Sequence, residues 1–583
     1  MTFSNYSWLS IFIILPFQMI NGQTNSYSSI NQFIQTVEST DSPFQIEADD
    51  LSEFTIQIYW INTDRRYTDC FVDRLESYID AGKIDLEYRW TWPTKDTQNS
   101  LTIFVIDPET EIPDTIVQDR ALIISAGKRL KSTIPRQIPS YSIGDNYNGF
   151  IFDLLAQYLF KGIRITEKRT LATDTRLSFL SPGYMGLDSQ WLNFQLDSIL
   201  QSGIDSMAYP GAEIVIVYKG SVIYQKSIGY HSYDKKFLVR DRDLYDLASV
   251  TKVTAGVSSL MSLYDNGEFH INEPLKTYFP FLAHSNKGDL SMKRVLTHSA
   301  GLKPYMVYYK MAESNNGKFQ KHTLSPTRHG EFSYPITDSI YASDKFNKFI
   351  YNAIDTSGLN PGNKYVYSGL SFLLFPDLVK TKTGNTIDQF LYTTVYEPMG
   401  AHKIKYNPLS YYPLNHMPPT EMDNFWRNQL VRGKVHDEAA AVLGGVSTNA
   451  GLFSNALDLA KLGETWRRKG TYGGRQYWET ATLELFTKCG YCEEGNRRAL
   501  GFDRPPLPKS DYSSYMSPLA SQSSYGHSGF TGTMIWIDPE YSYTFVFLSN
   551  RVHPTRSNTK LYSQDIRSNL HSVLYEELNK KSR

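Results

Sequence analysis

Cysteine is scarce in this chain of 583 residues: it occurs three times, at Cys70, Cys489 and Cys492. The C-x-x-C motif of Cys489 and Cys492 stands alone, without the second pair of ligands that a structural zinc site usually has. No other cluster has metal-ligand spacing, so the sequence implies no metal ion and no other cofactor. A local disulfide in an oxidising compartment and two unlinked thiols both fit the motif, and we favour the disulfide.

Net charge is also almost absent. Lys and Arg number 59 and Asp and Glu number 60, which leaves a formal charge of −1. Such a chain has no overall field that would attract nucleic acid or an anionic membrane surface. The 41 tyrosines are unusually many, and they indicate broad amphipathic surfaces or clefts without naming a ligand.

Long apolar runs are limited to one, at 8–17, which is followed by small or polar residues at 21–23. A helix that crosses a membrane needs ~20 apolar residues, so this run is too short for an anchor. It is typical of a secretory signal peptide, although no Lys or Arg precedes it. We therefore predict a signal peptide at 1–22, export to the periplasm or the medium, and no membrane span in the mature chain. No cysteine directly follows the run, so a bacterial lipid anchor is not indicated.

The length of the chain predicts two domains, because a single hydrophobic core rarely grows to this size. Residues 24–173 alternate short apolar runs, at 54–60, 101–106 and 121–124, with helical patterns. This rhythm predicts a small α/β domain. Residues 174–190 contain Pro182, Gly183 and Gly186 and predict a linker, so that the second domain occupies 191–583.

The helical pattern at 146–162, which ends in Gly162, resembles the end of the C-terminal α/β domain of family 3 glycoside hydrolases. In that family the catalytic barrel precedes this domain. Here the α/β pattern begins near Asp50, so only a short stretch separates it from the signal peptide. We therefore expect a scaffold or an interface from this domain and no glycosidase activity.

The second domain opens with a helical pattern and continues with a predicted hairpin, whose strands at 210–218 and 222–229 flank a turn at Lys219 and Gly220. Another predicted hairpin lies near the end of the chain, at 532–538 and 543–551, and a helix follows at 563–578. Strands at both ends of the domain predict one antiparallel sheet that closes between distant segments, which is an α+β arrangement.

Ser249 and Lys252 form an S-x-x-K motif at the start of a helical pattern. Residues three apart share a face of a helix, so the amine can reach the hydroxyl. A serine hydroxyl needs a neighbour to take its proton, and a partly desolvated lysine can do so. The motif alone is weak, because Ser125 and Lys128 also fit it and a core helix with an incidental serine explains it equally well.

Five further motifs follow in order, and together the six resemble the serine β-lactamase and penicillin-binding protein superfamily, especially its class C-like serine hydrolases and esterases. The motifs are L-A-S-V-T-K at 247–252, R-V-L-T-H-S-A-G-L at 294–302, P-G-N-K-Y-V-Y-S-G at 361–369, G-K-V-H-D-E at 433–438, N-A-G-L-F-S at 449–454 and G-H-S-G-F-T-G-T at 526–533. The resemblance covers about 185–580. It implies an α+β fold with an antiparallel sheet flanked by helices and a helical subdomain.

The resemblance also implies roles for single residues. Ser249 would be the acylated nucleophile and Lys252 its hydrogen-bonded base partner. Tyr367 would be a second base, and which of Lys252 and Tyr367 takes the serine proton is left open. His527 stands in place of the lysine of the family's Lys-Thr-Gly strand, where a histidine donor could hold the substrate.

Three substrate-binding positions follow His527 in this motif: Ser528, Gly529 and Phe530. The backbone N–H groups of Phe530 and Ser249 would form the oxyanion hole. His298 and His436 lie in motifs away from the family's catalytic groups, so we expect them to make structural hydrogen bonds.

One position departs from the family. Many members have Tyr-x-Asn where this chain has Tyr367, Ser368 and Gly369, so the amide that usually grips the acylamino group of the substrate is missing. Recognition of a β-lactam or an acylated D-residue depends on that amide, unless another residue replaces it.

These observations predict an exported serine hydrolase that acts on an ester, a D-amino-acid amide or a peptide derived from peptidoglycan. A β-lactamase or a penicillin-binding D,D-peptidase is the alternative within the same superfamily. A non-catalytic cell-wall-binding scaffold is the alternative from another class, and it would not need Ser249, Lys252, Tyr367 and His527 together. The sequence does not indicate an oligomeric state.

Overall fold

The computed structural model describes residues 149–581 apart from 314–317, 338 and 509–514. Before residue 149 it describes 55–61, 68–89, 100–106, 121–126, 140–142 and isolated positions within 32–46 and 110–112. The predicted signal peptide at 1–22 lies outside the described residues. No helix in the described part of the chain is both long enough and apolar enough to cross a membrane.

The first part of the chain forms a five-stranded parallel sheet. Its strands are β1 (Thr55–Ile61), β2 (Ile84–Arg89), β3 (Ser100–Ile106), β4 (Ala121–Ser125) and β5 (Ser140–Ser142), in the order β2-β1-β3-β4-β5. Parallel sheets bury both faces, which explains why the inner strands β1, β3 and β4 are nearly continuous apolar runs. Helices α1 (Thr68–Glu76) and α2 (Gly149–Leu159) cover one face, where Phe71 and Phe152 pack against Ile58 and Ile103.

The second part is built on a five-stranded antiparallel sheet. Its strands are β6 (Gly211–Tyr218), β7 (Ser221–Gly229), β8 (Tyr525–Ser528), β9 (Met534–Asp538) and β10 (Tyr543–Ser549), in the order β8-β9-β10-β6-β7. Lys219 and Gly220 both have positive φ, +51° and +81°, as the tight turn between β6 and β7 requires. Both hairpins and the closure of the sheet between distant segments are confirmed.

Three long helices cover this sheet: α3 (Ser189–Asp205), α4 (Ala456–Arg467) and α5 (Ile566–Lys581). Helices α3 and α5 lie on one face, where Leu196 and Leu574 pack with Ile214 and Phe545. Helix α4 lies on the other face, which carries the alternate positions of the same strands. The period of two along each strand therefore places apolar side chains in two layers, one on each face.

A helical subdomain is inserted between β7 and β8. Its main helices are Ser258–Asp265, Met292–Leu296, Phe346–Thr356, Phe375–Thr383 and Ile387–Leu391. Short strands Tyr245–Asp246, Leu452–Ser454 and Lys405–Tyr406 join it to the sheet domain as a small antiparallel sheet. The predicted α+β fold, an antiparallel sheet flanked by helices with a helical subdomain, is confirmed for this part of the chain.

The stretch 174–188 connects the two parts and contains no helix or strand longer than an isolated bridge. Residues 176–178 and 180 within it are nevertheless buried. The Tyr78 hydroxyl donates to the carbonyl of Leu177 (2.9 Å), and the backbone N–H of Leu177 donates to the Tyr472 hydroxyl (3.1 Å). Arg468 donates to the carbonyl of Thr175 (2.6 Å). Residues from both parts of the chain therefore hold this connection in place.

Glu464 on α4 is a buried carboxylate at the centre of a charged network. One oxygen accepts from Arg467 Nε (2.7 Å) and from the Thr544 hydroxyl (2.8 Å), and the other accepts from Arg467 (2.9 Å) and Arg468 (3.1 Å). Burial alone would raise the pKa of Glu464, but the two arginines and Thr544 outweigh it and lower the pKa from 4.5 to about 2. The carboxylate therefore stabilises the fold in its ionised form.

We predict that Glu464→Gln lowers the stability at pH 7 by about 3–5 kcal/mol, because two arginines then lack their buried partner. Since the folded pKa lies below the unfolded value of 4.5, the difference from the wild type should shrink as the pH falls from about 4.5 toward 2. Thermal melting at pH 7, 4 and 3 measures this, with Glu484→Gln at an exposed ion pair as the matched control. Equal melting temperatures of Glu464→Gln and the wild type at pH 7 would refute the assignment.

Candidate active site

Ser249 and Lys252 meet at the entrance to the helical subdomain. Ser249 lies in the 3₁₀ turn Ala248–Val250, and Lys252 begins the π-helical turn Lys252–Val257. Lys252 Nζ is 2.9 Å from Ser249 Oγ and 2.8 Å from the carbonyl oxygen of Asn449. Lys252 is 3% exposed, whereas Ser249 is partly open to solvent. The hydroxyl can therefore meet a substrate while the amine is kept from water.

Asp246 supports the turn that carries Ser249. One of its carboxylate oxygens accepts from the N–H of Ala248 (2.8 Å) and the other from the N–H of His436 (2.6 Å). Ala248 has a φ of +45°, a left-handed conformation that is strained for a residue with a side chain. The hydrogen bond from its own N–H to Asp246 offsets part of that strain.

The loop after β8 is tied to the same turn. The Thr531 hydroxyl donates to the carbonyl of Asp246 (2.7 Å), and the Thr533 hydroxyl donates to the carbonyl of Leu247 (2.9 Å). A Cβ at Gly529 would lie 2.4 Å from the oxygen of Leu247, so only glycine allows this approach. Ser528, Gly529 and Phe530, the predicted substrate-binding residues, therefore lie beside Ser249.

Tyr367 lies close to Lys252. Its ring centroid is 5.3 Å from Lys252 Nζ, 4.6 Å from the ring of His298 and 5.7 Å from the guanidinium carbon of Arg498. Its hydroxyl oxygen is buried and has no hydrogen-bond partner among the described residues. The tyrosine therefore has an uncommitted hydroxyl and two cations near its ring.

His298 and His436 make the hydrogen bonds expected of structural residues. His298 Nδ1 accepts from the N–H of Ser368 (3.2 Å), and the carbonyl of His298 accepts from the N–H of Val366 (2.8 Å). Burial and the nearby Arg498 hold the pKa of His298 well below its usual range, so it is neutral. His436 Nε2 is 2.8 Å from a carboxylate oxygen of Glu421. His298 thus positions the backbone on either side of Tyr367.

His527 is in the site, but its role there differs from the expectation that it is a donor. Its Nδ1–H donates to the carbonyl of Ser528 (2.8 Å), and Nε2 is buried with no partner among the described residues. Burial, with Arg498 and Lys252 nearby, lowers the pKa of His527 to about 3. At neutral pH the ring is therefore uncharged, and its free nitrogen accepts hydrogen bonds instead of donating them.

The position of the missing amide is nearly empty. A Cβ at Gly369 would have the Cβ of Asn449, at 4.0 Å, as its nearest neighbour. The amide of Asn449 is already engaged, since Nδ2 donates to Asp437 (2.9 Å) and Oδ1 accepts from Ser447 (2.7 Å). The structure thus leaves open space where many related proteins have an asparagine.

The structure brings Ser249, Lys252, Tyr367 and His527 together, as the sequence motifs predict. Sequence reasoning missed Arg498 and gave Asp246 and Asn449 no role. Asp246 directly precedes the first motif and Asn449 begins the fifth, so the sequence could have pointed to both, whereas Arg498 belongs to no motif. Within the described ranges, no group of three His, Cys, Asp or Glu side chains is arranged to hold a metal ion.

Comparisons with known proteins identify the family of this chain. Residues 196–567, more than half of the chain, match the family model of the beta-lactamases. A protein of Escherichia coli K12 with the provisional name D-alanyl-D-alanine carboxypeptidase is 29% identical over 396 residues, which cover 64% of this chain and 85% of the relative. A Salmonella enteritidis PT4 protein with the same provisional name is 28% identical over 417 residues, which cover 66% of this chain and 88% of the relative.

Solved structures of similar fold include a penicillin-binding protein homologue from Caulobacter crescentus, with a TM-score of 0.47, 16% identity, and coverage of 66% of this chain and 97% of that chain. Another is EstCE1, a hydrolase with promiscuous acyltransferase activity. Its TM-score is 0.47 at 17% identity, and the match covers 66% of this chain and 99% of that chain. The match of the family model shows that the chain belongs to the beta-lactamase family, as a serine hydrolase of the β-lactamase and penicillin-binding-protein type.

Proposed function

We propose that this protein is an exported serine esterase that forms an acyl-enzyme on Ser249. The observation that carries the proposal is the 2.9 Å contact of Ser249 Oγ with Lys252 Nζ, together with the ring of Tyr367, which lies 5.3 Å from the same amine and whose hydroxyl has no partner among the described residues. A nucleophile, a buried cation and a second proton carrier are the groups that acyl transfer through serine requires.

In the proposed reaction Ser249 Oγ bonds to the carbonyl carbon of the ester as its proton passes to the Tyr367 oxygen. The carbon–oxygen bond to the alcohol then breaks, and the alcohol leaves with the proton from Tyr367. Water attacks the acyl-enzyme by the same route and gives its proton to Tyr367. The bond from the acyl carbon to Ser249 Oγ then breaks, Tyr367 returns the proton to Ser249 Oγ, and the carboxylic acid leaves. Lys252, which already donates to the carbonyl of Asn449, orients Ser249 Oγ and favours the phenolate of Tyr367.

The negative oxygen of the tetrahedral intermediate needs donors close to Ser249. We assign them to the backbone N–H groups of Ser249 and Phe530. Support for this assignment comes from Thr531 and Thr533, whose hydroxyls tie the Phe530 loop to the carbonyls of the residues just before the nucleophile. Donors fixed in this way cost no reorganisation when charge develops.

The preference for an ester follows from what the pocket does not offer to an amide substrate. Gly369 provides no side chain to hold an acylamino group, and the amide of Asn449 is engaged with Asp437 and Ser447. His527 is neutral and presents an acceptor, so it does not attract a substrate carboxylate. An ester requires neither contact and has a better leaving group than an amide.

A D,D-carboxypeptidase is the second candidate, and the provisional names of the relatives favour it. Such an enzyme would have to hold the terminal carboxylate and the acylamino group of a cell-wall peptide by residues other than His527 and position 369. The values of kcat/KM for an ester and for a D-Ala-D-Ala peptide distinguish the two candidates.

Export is supported by two features. The apolar run at 8–17 is typical of a signal peptide. Cys489 and Cys492 are joined by a disulfide, a bond that persists in oxidising compartments such as the periplasm.

We further propose that residues 24–173 form a domain of their own that serves as a scaffold for the hydrolase. Contacts support this role: Lys83 Nζ lies 3.5 Å from Glu397 Oε1, and a Cβ at Gly400 would lie 2.4 Å from the carbonyl oxygen of Tyr78. The parallel sheet is consistent with the α/β domain that the sequence resembles.

We predict that Ser249→Ala abolishes ester hydrolysis and covalent labelling by a fluorophosphonate, because the attacking oxygen is removed. Lys252→Ala and Tyr367→Phe should each lower kcat/KM by about 10²-fold or more, as the loss of a positioned proton carrier does. Ser357→Ala, at a buried serine on the helical subdomain, is the matched control and should label normally. Full activity of Ser249→Ala would rule out the proposed nucleophile.

We also predict that p-nitrophenyl butyrate is hydrolysed with a higher kcat/KM than nitrocefin or a D-Ala-D-Ala peptide. A lost hydrogen bond costs ~1 kcal/mol, and misplacement of the carbonyl adds to that loss, because productive geometry is itself worth several powers of ten. Gly369→Asn should reduce the difference in kcat/KM between the ester and the two amide substrates, because it restores the side-chain amide. Faster turnover of nitrocefin or the peptide by the wild type would contradict the ester assignment and favour the second candidate.

A further inference from the structure

Tyr367 can act as a base only if its phenolate form is stabilised. A phenol is a weak acid, so positive charge close to the ring is what favours the phenolate at neutral pH. The family's Lys-Thr-Gly strand places a lysine near this position, but here the position belongs to His527. Because His527 is neutral at pH 7 and its Nδ1–H is donated to Ser528, it supplies no positive charge.

Arg498 is a buried cation close to Tyr367. It is 2% exposed, and its guanidinium carbon lies 5.7 Å from the Tyr367 ring centroid. Its Nη1 is 3.2 Å from Asp503 Oδ1, and its Nη2 donates to the carbonyl of Gly501 (3.0 Å). Burial would lower the pKa of Arg498, but Asp503 outweighs it, so the guanidinium keeps its charge.

Asp503 cancels this charge only in part. The same carboxylate also accepts two hydrogen bonds from Arg497, both 3.0 Å, so two arginines share one carboxylate. The cluster of Arg497, Arg498 and Asp503 therefore carries one net positive charge. Arg498 is the member whose guanidinium faces the Tyr367 ring.

The chain fixes Arg498 from two sides. On one side, the N–H of Arg498 donates to Asn496 Oδ1 (3.1 Å), and Asn496 Nδ2 donates to the carbonyl of Thr297 (2.9 Å), the residue before His298. On the other side, Asp503 exchanges two backbone hydrogen bonds, 2.8 and 3.0 Å, with Gly526, the residue before His527. The arginine is thus held to both segments that flank Tyr367.

The disulfide-closed loop supplies a further contact. The N–H of Gly490, which lies between Cys489 and Cys492, donates to the carbonyl of Arg498 (2.9 Å). This loop therefore holds the backbone at Arg498 from the side away from Asp503.

We propose that Arg498 is a positioning residue that acts through Tyr367: its charge stabilises the phenolate, in place of the lysine that this chain lacks at His527. The inference rests on the proposed function, in which Tyr367 carries the proton of Ser249. Arg498 does not clamp a substrate carboxylate, because two of its nitrogens are engaged by Asp503 and Gly501 and it is almost fully buried.

The size of the effect follows from Coulomb's law. Two unit charges about 6 Å apart at an effective dielectric constant near 20 shift a protonation equilibrium by roughly 10²-fold. Asp503 cancels part of the field of Arg498, so we expect roughly tenfold, or about one pH unit. The other ionisable groups near Tyr367 among the described residues are Lys252, His298, His527 and Tyr365. Both histidines are neutral at pH 7, and burial raises the pKa of Tyr365, so it is neutral as well.

The test is the pH dependence of kcat/KM for p-nitrophenyl butyrate between pH 5 and 10, measured on the full-length protein. Arg498→Met should move the rising limb of the profile up by about one pH unit and lower kcat/KM at pH 7 about tenfold, with recovery at high pH. Arg498→Lys should restore most of the wild-type profile. Asp503→Asn, which removes the negative charge and keeps Arg498, should move the rising limb of the profile to lower pH.

Arg504→Met is the matched control. Arg504 lies on the same loop, and its side chain donates to the carbonyl of Thr487 (2.7 Å). Among the described residues this side chain makes no hydrogen bond to Tyr367 or His527. Its profile should coincide with that of the wild type. Thermal melting confirms that each variant is folded, and Asp503→Asn tests the sign of the effect if Arg498→Met does not fold.

Two outcomes would overturn the inference: an equal loss of activity at every pH in Arg498→Met, or a shift in the same direction in Arg498→Met and Asp503→Asn. Ser249→Ala in the same assay separates this inference from the proposed function. If Ser249→Ala keeps its activity, the proposed function fails. If it is inactive while Arg498→Met retains the wild-type profile, only the role of Arg498 fails.

Discussion

The buried carboxylate of Asp246 is the contact on which the geometry of the site depends. It accepts N–H groups from Ala248, on its own turn, and from His436, on a distant segment, while its carbonyl accepts the hydroxyl of Thr531. Three separate parts of the chain are therefore fixed to one residue. Burial raises the pKa of Asp246, so the two N–H bonds also keep the carboxylate from being an unpaired polar group in the interior. The strained turn of Ala248 persists because these partners surround it.

The charges of the site lie close to Tyr367. Lys252 and Arg498 are buried beside its ring, and each is matched by oxygen acceptors: the carbonyl of Asn449 for the first, and Asp503 with the carbonyl of Gly501 for the second. His527 lies near the same ring and is neutral, and position 369 carries no side chain. The site therefore concentrates positive charge at Tyr367 and offers no charged group at His527 or at position 369.

The sequence predicts the features that depend on local repetition or on short motifs. The period of two along β6 and β10 predicts strands, and the spacing of Ser249 and Lys252 predicts a shared helical face. The motifs add Tyr367 and His527, because their order along the chain matches a known family. The domain boundaries at 173 and 190 and the signal peptide at 1–22 stay predictions.

Features that depend on distant contacts could not be predicted. The charge near Tyr367 comes from Arg498, which reaches the site only because Asn496 and Asp503 bind segments far away in sequence. The charge and the tautomer of His527 depend on its burial and on its hydrogen bond to Ser528. Neither can be inferred from a sequence motif. The burial of Leu177 likewise depends on Tyr78 and Tyr472, which lie 99 and 295 positions away.

The closure of the antiparallel sheet between its first and last strands sets the order in which this protein becomes functional. Strand β6 pairs with β10, near the end of the chain, and the loop after β8 that holds the nucleophile turn lies in the same late segment. Pairing between such distant segments forms slowly, and a ribosome supplies the partners of β6 last. A nascent chain that has exposed Ser249 therefore still lacks the loop that contacts Leu247 and the strand that pairs with β6. The complete site can form only after the last strands of the sheet have been synthesised.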